Sequence, residues 1–388
     1  MARTIIYLHP HFTAYGGAGR FVLESGRRLA QRGYRVRVIS IRADQALVGD
    51  YRQEIDFIDI GGPLSSSLWF WILFPWSCIK ISRVLNKFDD FILFSQVFPA
   101  NWWGGFYKLF HKKIRLVWMC QEPSAFIHSR EWIASIKDPL MRLGARLFNP
   151  LLKAIDGRFA ALPDRVIANS EYTRRYAQEV YGYADDMIKT VYIGVEAPGA
   201  VEVKIFDGGA FTMITVGRLT KFKNIGTVIR ALKIMLDQGH QVRLNIVGDG
   251  EERGALERLA GQLGLETLVS FSGSVSRPQL DRLYDGSHLY VSAALNEPFG
   301  LAPLEAMAHG LPVVAVNSGG PAETVIDQSS GFLIPGNDAG SLASAVVKLI
   351  QDPSLYKQAM SRSGKRAEYF NWTSTMDGLV DVFSGYDG

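Results

Sequence analysis

Two carboxylates eight positions apart, Glu297 and Glu305, bracket the run Glu297-Pro298-Phe299-Gly300-Leu301-Ala302-Pro303-Leu304-Glu305. Ionised carboxylates accept several hydrogen bonds each, which suits them to neutral, hydroxyl-rich ligands such as sugars. The run follows a short apolar segment, Leu289-Tyr290-Val291, and leads into an apolar, helix-favouring one from Leu304 to Ala308. A loop followed by a helix puts the Gly300 and Leu301 amides at a helix N-terminus, open to an anionic or polyhydroxylated ligand. Glu305 then falls about two turns into the helix, on a face that looks back to the same ligand. Upstream, Arg218 and Lys223 occupy a polar loop after the apolar run Phe211–Val216. Fixed cations there would stabilise negative charge gathering on a departing diphosphate. Arg grips phosphate through paired N–H bonds, whereas Lys acts as a point charge. Two cations in a loop are by themselves an ordinary solvated surface; their combination with the carboxylate run carries the chemistry.

The elements that must hold these residues alternate between apolar strand-like runs and amphipathic helix-like runs, the pattern of parallel α/β sheets. In the first half the strands read as Ile5–Leu8, Val36–Ile41, Phe91–Phe94, Leu116–Met119 and Val166–Ala168. In the second half they read as Phe211–Val216, Arg243–Val247, Val269–Phe271, Leu289–Val291 and Val313–Val316. Between the two sets lies a Gly/Pro-rich segment, Gly194-Val195-Glu196-Ala197-Pro198-Gly199-Ala200 followed by Asp207-Gly208-Gly209, which reads as a linker. Two domains result, residues 1–195 and 196–369, each doubly wound, with ligands expected at the C-terminal ends of the strands. Gly16-Gly17 follows the first strand and precedes a helix starting near Gly19. Such a loop either brings amides close to a phosphate or is a plain βα turn.

With 47 % apolar and 21 % charged residues, the chain is neither disordered nor membrane-spanning in composition. Its longest apolar stretch, Leu68 to Trp76, has nine residues including a proline, against the roughly twenty that a bilayer span requires. Cys78 and Cys120 show neither metal-ligand nor disulfide spacing and are expected as buried thiols of a reducing cytoplasm; no secretory leader is read at Met1 to Leu8. No paired-His or Cys/His spacing marks a metal site, and Asp89-Asp90 and Asp185-Asp186 read as turn or surface residues. Charge is uneven. Residues 1–195 carry 26 Lys/Arg against 17 Asp/Glu, a net of +9, and residues 196–388 carry 16 against 21, a net of −5. A basic half implies an acidic partner, and nucleic acid is disfavoured because no recognition motif accompanies the charge.

The Glu297–Glu305 run resembles the E-x7-E motif of the retaining glycosyltransferases of family 4, which share the GT-B fold. The resemblance extends to Val216-Gly217-Arg218-Leu219 with Lys223-Asn224, to Val247-Gly248-Asp249-Gly250, to Phe271-Ser272-Gly273-Ser274-Val275, to Val313-Val314-Ala315 with Gly319-Gly320-Pro321-Ala322-Glu323, and to Gly16-Gly17-Ala18-Gly19-Arg20. It implies two facing Rossmann-like domains with a cleft between them, completed by the tail 370–388 crossing back to the first. It also implies a sugar nucleotide as substrate and no further cofactor. Residue by residue, Glu297, Arg218 and Lys223 would serve catalysis, with Glu297 on the donor sugar and the two cations on the diphosphate. Phe299, Gly300 and Leu301 would line the donor, Glu305 the ribose, Val275 the base, and Gly17 and Gly248 the phosphate loops.

One departure stands out. Where many relatives have a histidine before an acidic residue and a proline, this chain has Gln121-Glu122-Pro123. Gln can hydrogen-bond a sugar hydroxyl but cannot act as a base near neutral pH. His128, close in sequence, is either a substitute or a surface or packing residue; Gln121, Glu122 and His128 are the acceptor-side candidates, with His9 and His11 at the end of the first strand. In the family a donor phosphate oxygen is thought to take the acceptor proton, so the loss of the histidine need not abolish activity.

The aromatics and cations of Trp69, Trp71, Trp76, Trp102, Trp103, Phe106, Tyr107, Lys108, Lys112, Lys113 and Arg115 interleave as in segments that lie at a membrane interface. Leu68–Trp76 alone reads equally as a core-packed helix; together with the basic half the set points to peripheral attachment at an anionic inner leaflet, on the cytoplasmic face. Such attachment fits the acceptor carried on a polyprenyl diphosphate that the family resemblance implies. The leading expectation is a retaining hexosyltransferase extending a surface glycan or its lipid-linked precursor, with GDP-mannose favoured through the Gly319-Gly320-Pro321 turn. UDP-glucose or UDP-N-acetylglucosamine would use nearly the same residues. A UDP-N-acetylglucosamine epimerase is disfavoured by the intact carboxylate run, and an inactive membrane-bound scaffold by the presence of Arg218, Lys223, Glu297 and Glu305 together.

Overall fold

The computed structural model describes residues 3–13, 16–64, 68–129, 133, 139–196 and 209–385; most of the expected linker, residues 197–208, lies outside them. The chain divides into two compact units, Met1–Ile193 with Thr373–Gly388, and Gly194–Trp372.

The first unit is built on seven parallel strands: β1 (Thr4–Leu8), β2 (Arg35–Ser40), β3 (Ile55–Asp59), β4 (Phe91–Ser95), β5 (Arg115–Cys120), β6 (Arg165–Ala168) and β7 (Ile188–Thr190). Their order in the sheet is β3-β2-β1-β4-β5-β6-β7. The second unit has six parallel strands, β8 (Phe211–Val216), β9 (Val242–Val247), β10 (Val269–Gly273), β11 (Leu289–Val291), β12 (Val313–Val316) and β13 (Gly331–Ile334), ordered β10-β9-β8-β11-β12-β13. Both are doubly wound, Rossmann-like sheets. The order reverses beside β1 in one and beside β8 in the other, and at such switch points ligand crevices open past the strands' C-terminal ends. Central strands are covered on both faces and so read as unbroken apolar runs; every residue of β1, β4 and β11 is buried.

All ten expected strands are present. A short parallel pair, His11–Phe12 with Arg42–Ala43, was not expected, nor were β3, β7 and β13 of the two large sheets. Each of these three lies at the edge of its sheet. An edge strand is paired on one side only and buries less, so Ile55-Asp-Phe-Ile-Asp59 alternates with charge and Ile188-Lys-Thr190 is too short to carry a signal. The C-terminal helix Trp372–Ser384 lies on the first unit, where Phe383 packs edge-on against Phe94 with ring centroids 5.2 Å apart. Thr375 Oγ1 donates to the Tyr192 carbonyl at 2.8 Å, and Arg3 Nη1 to that of Phe383 at 2.9 Å.

The aromatic stretch assigned to a membrane interface divides. Trp102, Trp103 and Tyr107 are core residues, 4 %, 0 % and 4 % exposed. Trp103 Nε1 donates to Ser77 Oγ at 3.0 Å and Trp102 Nε1 to the buried Asp156 at 2.6 Å. Of its aromatic side chains, Trp69 and Trp76 alone stand well out in solvent among the described residues. Helix Ala100–Phe110 sits on the central strands, so its Trp side chains fill the core that an interfacial helix would leave open.

Candidate active site

Glycine Gly217 ends β8 with φ at 150°, and the aliphatic stem of Lys223 runs across it; a Cβ there would stand 3.4 Å from Lys223 Cε. The loop is pinned by the buried Leu219 and closes in one 3-10 turn, Lys221–Lys223, before helix Ile225–Asp237. Its ammonium thereby reaches Glu297: Lys223 Nζ lies 2.5 Å from Glu297 Oε1, with side chains 16 % and 11 % exposed. The second oxygen, Glu297 Oε2, is buried and has no hydrogen-bond partner. A buried charged acceptor left unpaired is costly, so such atoms are rare and mark positions where a ligand donor belongs. Lys223 has three donor protons and can hold Glu297 while offering others to a phosphate. Arg218 is exposed and forms no ion pair with the described residues.

Backbone packing sets the position of Glu297. Gly320 N–H donates to the Glu297 carbonyl at 2.7 Å, and Asn296 N–H to Ser318 Oγ at 2.9 Å. A Cβ on Gly319, whose φ is 66°, would lie 2.3 Å from the Glu297 oxygen, and one on Gly320 would lie 2.2 Å from that of Phe299. The turn after β12 is therefore pressed backbone to backbone against the loop after β11. Phe299 is buried against Phe370, centroids 6.1 Å apart, so its side chain anchors the loop and only its backbone can meet a ligand. Gly300, at φ 82°, turns the chain into helix Leu301–Ala308, whose first amides have no partners within the helix.

Glu305 is differently placed. Arg277 Nη1 holds its Oε1 at 3.0 Å, and Tyr284 OH approaches its Oε2 at 3.4 Å. Arg277 also pairs with Asp281 at 2.8 Å, and Asp281 and Asp285 flank the buried His309 at 3.2 and 2.8 Å. Arg277, Tyr284 and His309 were not anticipated; the one available signal was the position of Arg277 at a helix start two residues after Val275, itself half-buried where β10 leads into that helix.

Gly248, expected at a phosphate loop, is packed against backbone. At φ 122°, a Cβ on it would stand 2.0 Å from the Gly217 oxygen, and one on Gly250 would stand 2.4 Å from that of Leu219. Gly217 N–H donates to Val247 O and Leu219 N–H to Asp249 O, each at 3.0 Å. Here the glycines let the loops after β8 and β9 cross, and so fix the Arg218–Lys223 loop.

In the first unit, Gly17 opens the 15-residue helix Gly17–Gln31 behind an extended Gly16. Four consecutive strand ends there carry neutral polar side chains with buried, unpartnered atoms: His9 Nδ1 after β1, Gln96 Oε1 and Nε2 after β4, Gln121 Nε2 after β5, and Asn169 Oδ1 after β6. Burial, reinforced by the neighbouring His11, pushes the His9 imidazole down to about 3, so it is neutral at working pH. Gln96 and Asn169 were missed, because a single polar residue after an apolar strand has no distinguishing pattern. Glu122 is exposed. His128 does not take the place of the usual histidine: its Nε2 is held at 2.8 Å by Asp156, which is fully buried and also receives Tyr181 OH at 2.7 Å. It belongs to a buried polar network. A hollow of about 790 Å³ beside Tyr34, Arg35, Arg52 and Asp56 lies at the N-terminal ends of β2 and β3, opposite this rim, and gathers none of these residues.

Two doubly wound parallel sheets, with a carboxylate–lysine pair and a glycine-clamped loop at the strand ends of the second, define a GT-B glycosyltransferase that uses a nucleotide sugar. The chain matches the family described as Glycosyltransferase Family 4 over residues 15–197 and that described as Glycosyl transferases group 1 over residues 201–367. It belongs to this group of enzymes. Among curated relatives, the D-inositol 3-phosphate glycosyltransferases of Thermomonospora curvata and Catenulispora acidiphila are 25 % and 27 % identical, each alignment covering 95 % of this chain and 90 % of the relative. Among solved structures, Anabaena HepE in complex with UDP and glucose superposes with a TM-score of 0.77 at 20 % identity, covering 99 % of this chain and 100 % of that one. The sucrose-phosphate synthase of Thermosynechococcus elongatus gives 0.78 at 20 % identity, covering 99 % and 98 %.

Proposed function

We propose that the chain transfers a hexosyl group from a UDP-sugar to a hydroxyl of a polyol acceptor, with retention of anomeric configuration. The observation that carries this reading is Glu297, one oxygen locked by Lys223 and the other buried and unpartnered, a preorganised acceptor for a sugar hydroxyl. In the proposed reaction the bond from the anomeric carbon to the diphosphate breaks, and the acceptor oxygen bonds to that carbon on the same face. The acceptor proton passes to a departing phosphate oxygen, while Arg218 and Lys223 stabilise the charge left there. The preference for GDP-mannose rested on the Gly319-Gly320-Pro321 turn, and its glycines have another reason to be there: they admit the Glu297 backbone. Complexes of the related fold with UDP and UDP-glucose favour the uracil base instead. The neutral rim of His9, Gln96, Gln121 and Asn169 suits hydroxyls, and relatives that act on an inositol phosphate support a polyol, whether free or within a lipid-linked glycan.

A thermal-shift screen against UDP, UDP-glucose, UDP-N-acetylglucosamine, GDP and GDP-mannose tests the donor. UDP and its sugars are expected to raise the midpoint, by about 2.7 kcal/mol of stabilisation at 100 times the dissociation constant. A shift confined to GDP and GDP-mannose would replace the UDP reading with a mannosyltransferase, and no shift at all would favour an inactive scaffold.

A further inference from the structure

Large hydrophobic side chains stand in solvent mainly on one part of the first unit. Trp69 (66 % exposed) and Trp76 lie on the neighbouring helices Leu68–Ile72 and Phe74–Leu85, and Phe110 (71 %) ends helix Ala100–Phe110. Leu147 (68 %), Phe148 and Leu151 share one side of helix Pro139–Ala160. Helix Ala100–Phe110 packs against both Phe74–Leu85 and Pro139–Ala160, so these side chains belong to one layer. Isolated exposed hydrophobics are ordinary; a set of this size on adjacent helices marks an interaction surface.

Charge identifies the partner. The exposed charged residues on these helices are all cationic, Arg83, Arg146, Lys153 and Arg158, and Lys112 and Lys113 follow directly after Phe110. None of the six is ion-paired among the described residues. The one acid on the three packed helices, Asp156, is fully buried and bound to His128. A protein partner of ordinary composition would be met by both signs of charge. Asp89 and Asp90 stand exposed beyond the end of Phe74–Leu85, but the exposed charges on the helices themselves are cationic. Apolar and aromatic side chains interspersed with those cations match an anionic lipid headgroup layer, with the rings at headgroup depth and the cations on phosphates.

We propose that this helical face docks the protein onto an anionic membrane surface. Among the described residues no helix is long and apolar enough to cross a bilayer, so the contact is peripheral. Its members differ from those the sequence pattern offers: Trp102 and Trp103 are in the core, and Leu147, Phe148 and Leu151 take their place. The inference stands independently of the donor assignment.

Flotation of the full chain with phosphatidylcholine vesicles, alone or with about 30 mol % phosphatidylglycerol, tests it. The wild type is expected to float with the anionic vesicles at least about tenfold more than with the neutral ones, and to be released by about 0.5 M salt. Leu147→Glu with Phe148→Glu, and separately Arg146→Glu with Lys153→Glu, are each expected to lose about tenfold in partitioning. A thermal midpoint kept near that of the wild type in these variants would show that the loss is one of binding. Absence of wild-type flotation would overturn the proposal and leave a protein partner as the occupant. Undiminished flotation of the Leu147→Glu, Phe148→Glu variant would overturn it as well. So would a wild-type dimer in light scattering that this variant splits, since a second copy would then cover the face.

Discussion

Lys223→Ala is expected to lower turnover by about 100-fold or more, the scale seen when a charge-stabilising group is removed. It should also destabilise the protein. The lysine neutralises a carboxylate that is only 11 % exposed, and its removal leaves Glu297 buried without a counter-charge. Breaking a buried pair from one side costs about 3–5 kcal/mol, and the residual exposure of both groups puts this case near the lower figure. The two effects separate in a double variant. Lys223→Ala with Glu297→Ala removes both charges and should recover much of the stability while remaining inactive. Chemical denaturation and donor hydrolysis measured on the same preparations check both halves. Wild-type turnover in Lys223→Ala would contradict the assignment of this residue, whatever the stability.

Gly319→Ala is the second large effect. An alanine at φ 66° costs about 1–2 kcal/mol for its backbone conformation alone. Its Cβ would also sit 2.3 Å from the Glu297 carbonyl oxygen and 2.7 Å from the Glu297 nitrogen, and backbone on both sides cannot rotate away as a side chain could. The loop carrying Glu297 must shift, and a displacement of about 1 Å in a catalytic group can cost about 100-fold in rate. We therefore expect turnover to fall by that factor, with UDP binding reduced much less. Gly364→Ala is the matched control: nothing lies within 4 Å of its added methyl, and its helical position favours alanine by about 1 kcal/mol. Full activity in Gly319→Ala, measured beside that control, would show that the clamp does not position Glu297.

The legible parts of this fold were those enforced locally. Buried parallel strands such as β1 and β4 must be apolar throughout, so they announce themselves, whereas the edge strands β3, β7 and β13 are under no such demand. The carboxylate run was visible for the same reason: its spacing is a property of one loop and one helix. The partners of the two carboxylates were not, because the Lys223–Glu297 contact joins residues 74 apart and the Arg277–Glu305 contact residues 28 apart. Glycines carry an ambiguous signal. A missing Cβ at Gly248 or Gly319 serves close approach to a phosphate or to another backbone equally well, and the backbone contact of each is visible only in the fold. Likewise a Trp beside a Lys reads the same whether the ring faces lipid or core; the depth of helix Ala100–Phe110 decided that Trp103 faces core.

The most direct test of the central claim, that the free oxygen of Glu297 meets the donor sugar, is calorimetric titration of the wild type and Glu297→Gln with UDP and with UDP-glucose, alongside donor turnover. The variant keeps the shape and an oxygen for Lys223 but loses the second charged acceptor. The account predicts that the wild type binds UDP-glucose about tenfold or more tighter than UDP, the scale of a hydrogen bond to a charged group. In Glu297→Gln that advantage should vanish, with UDP affinity nearly unchanged and turnover down by about 100-fold. An undiminished UDP-glucose advantage and undiminished turnover in the variant would contradict it.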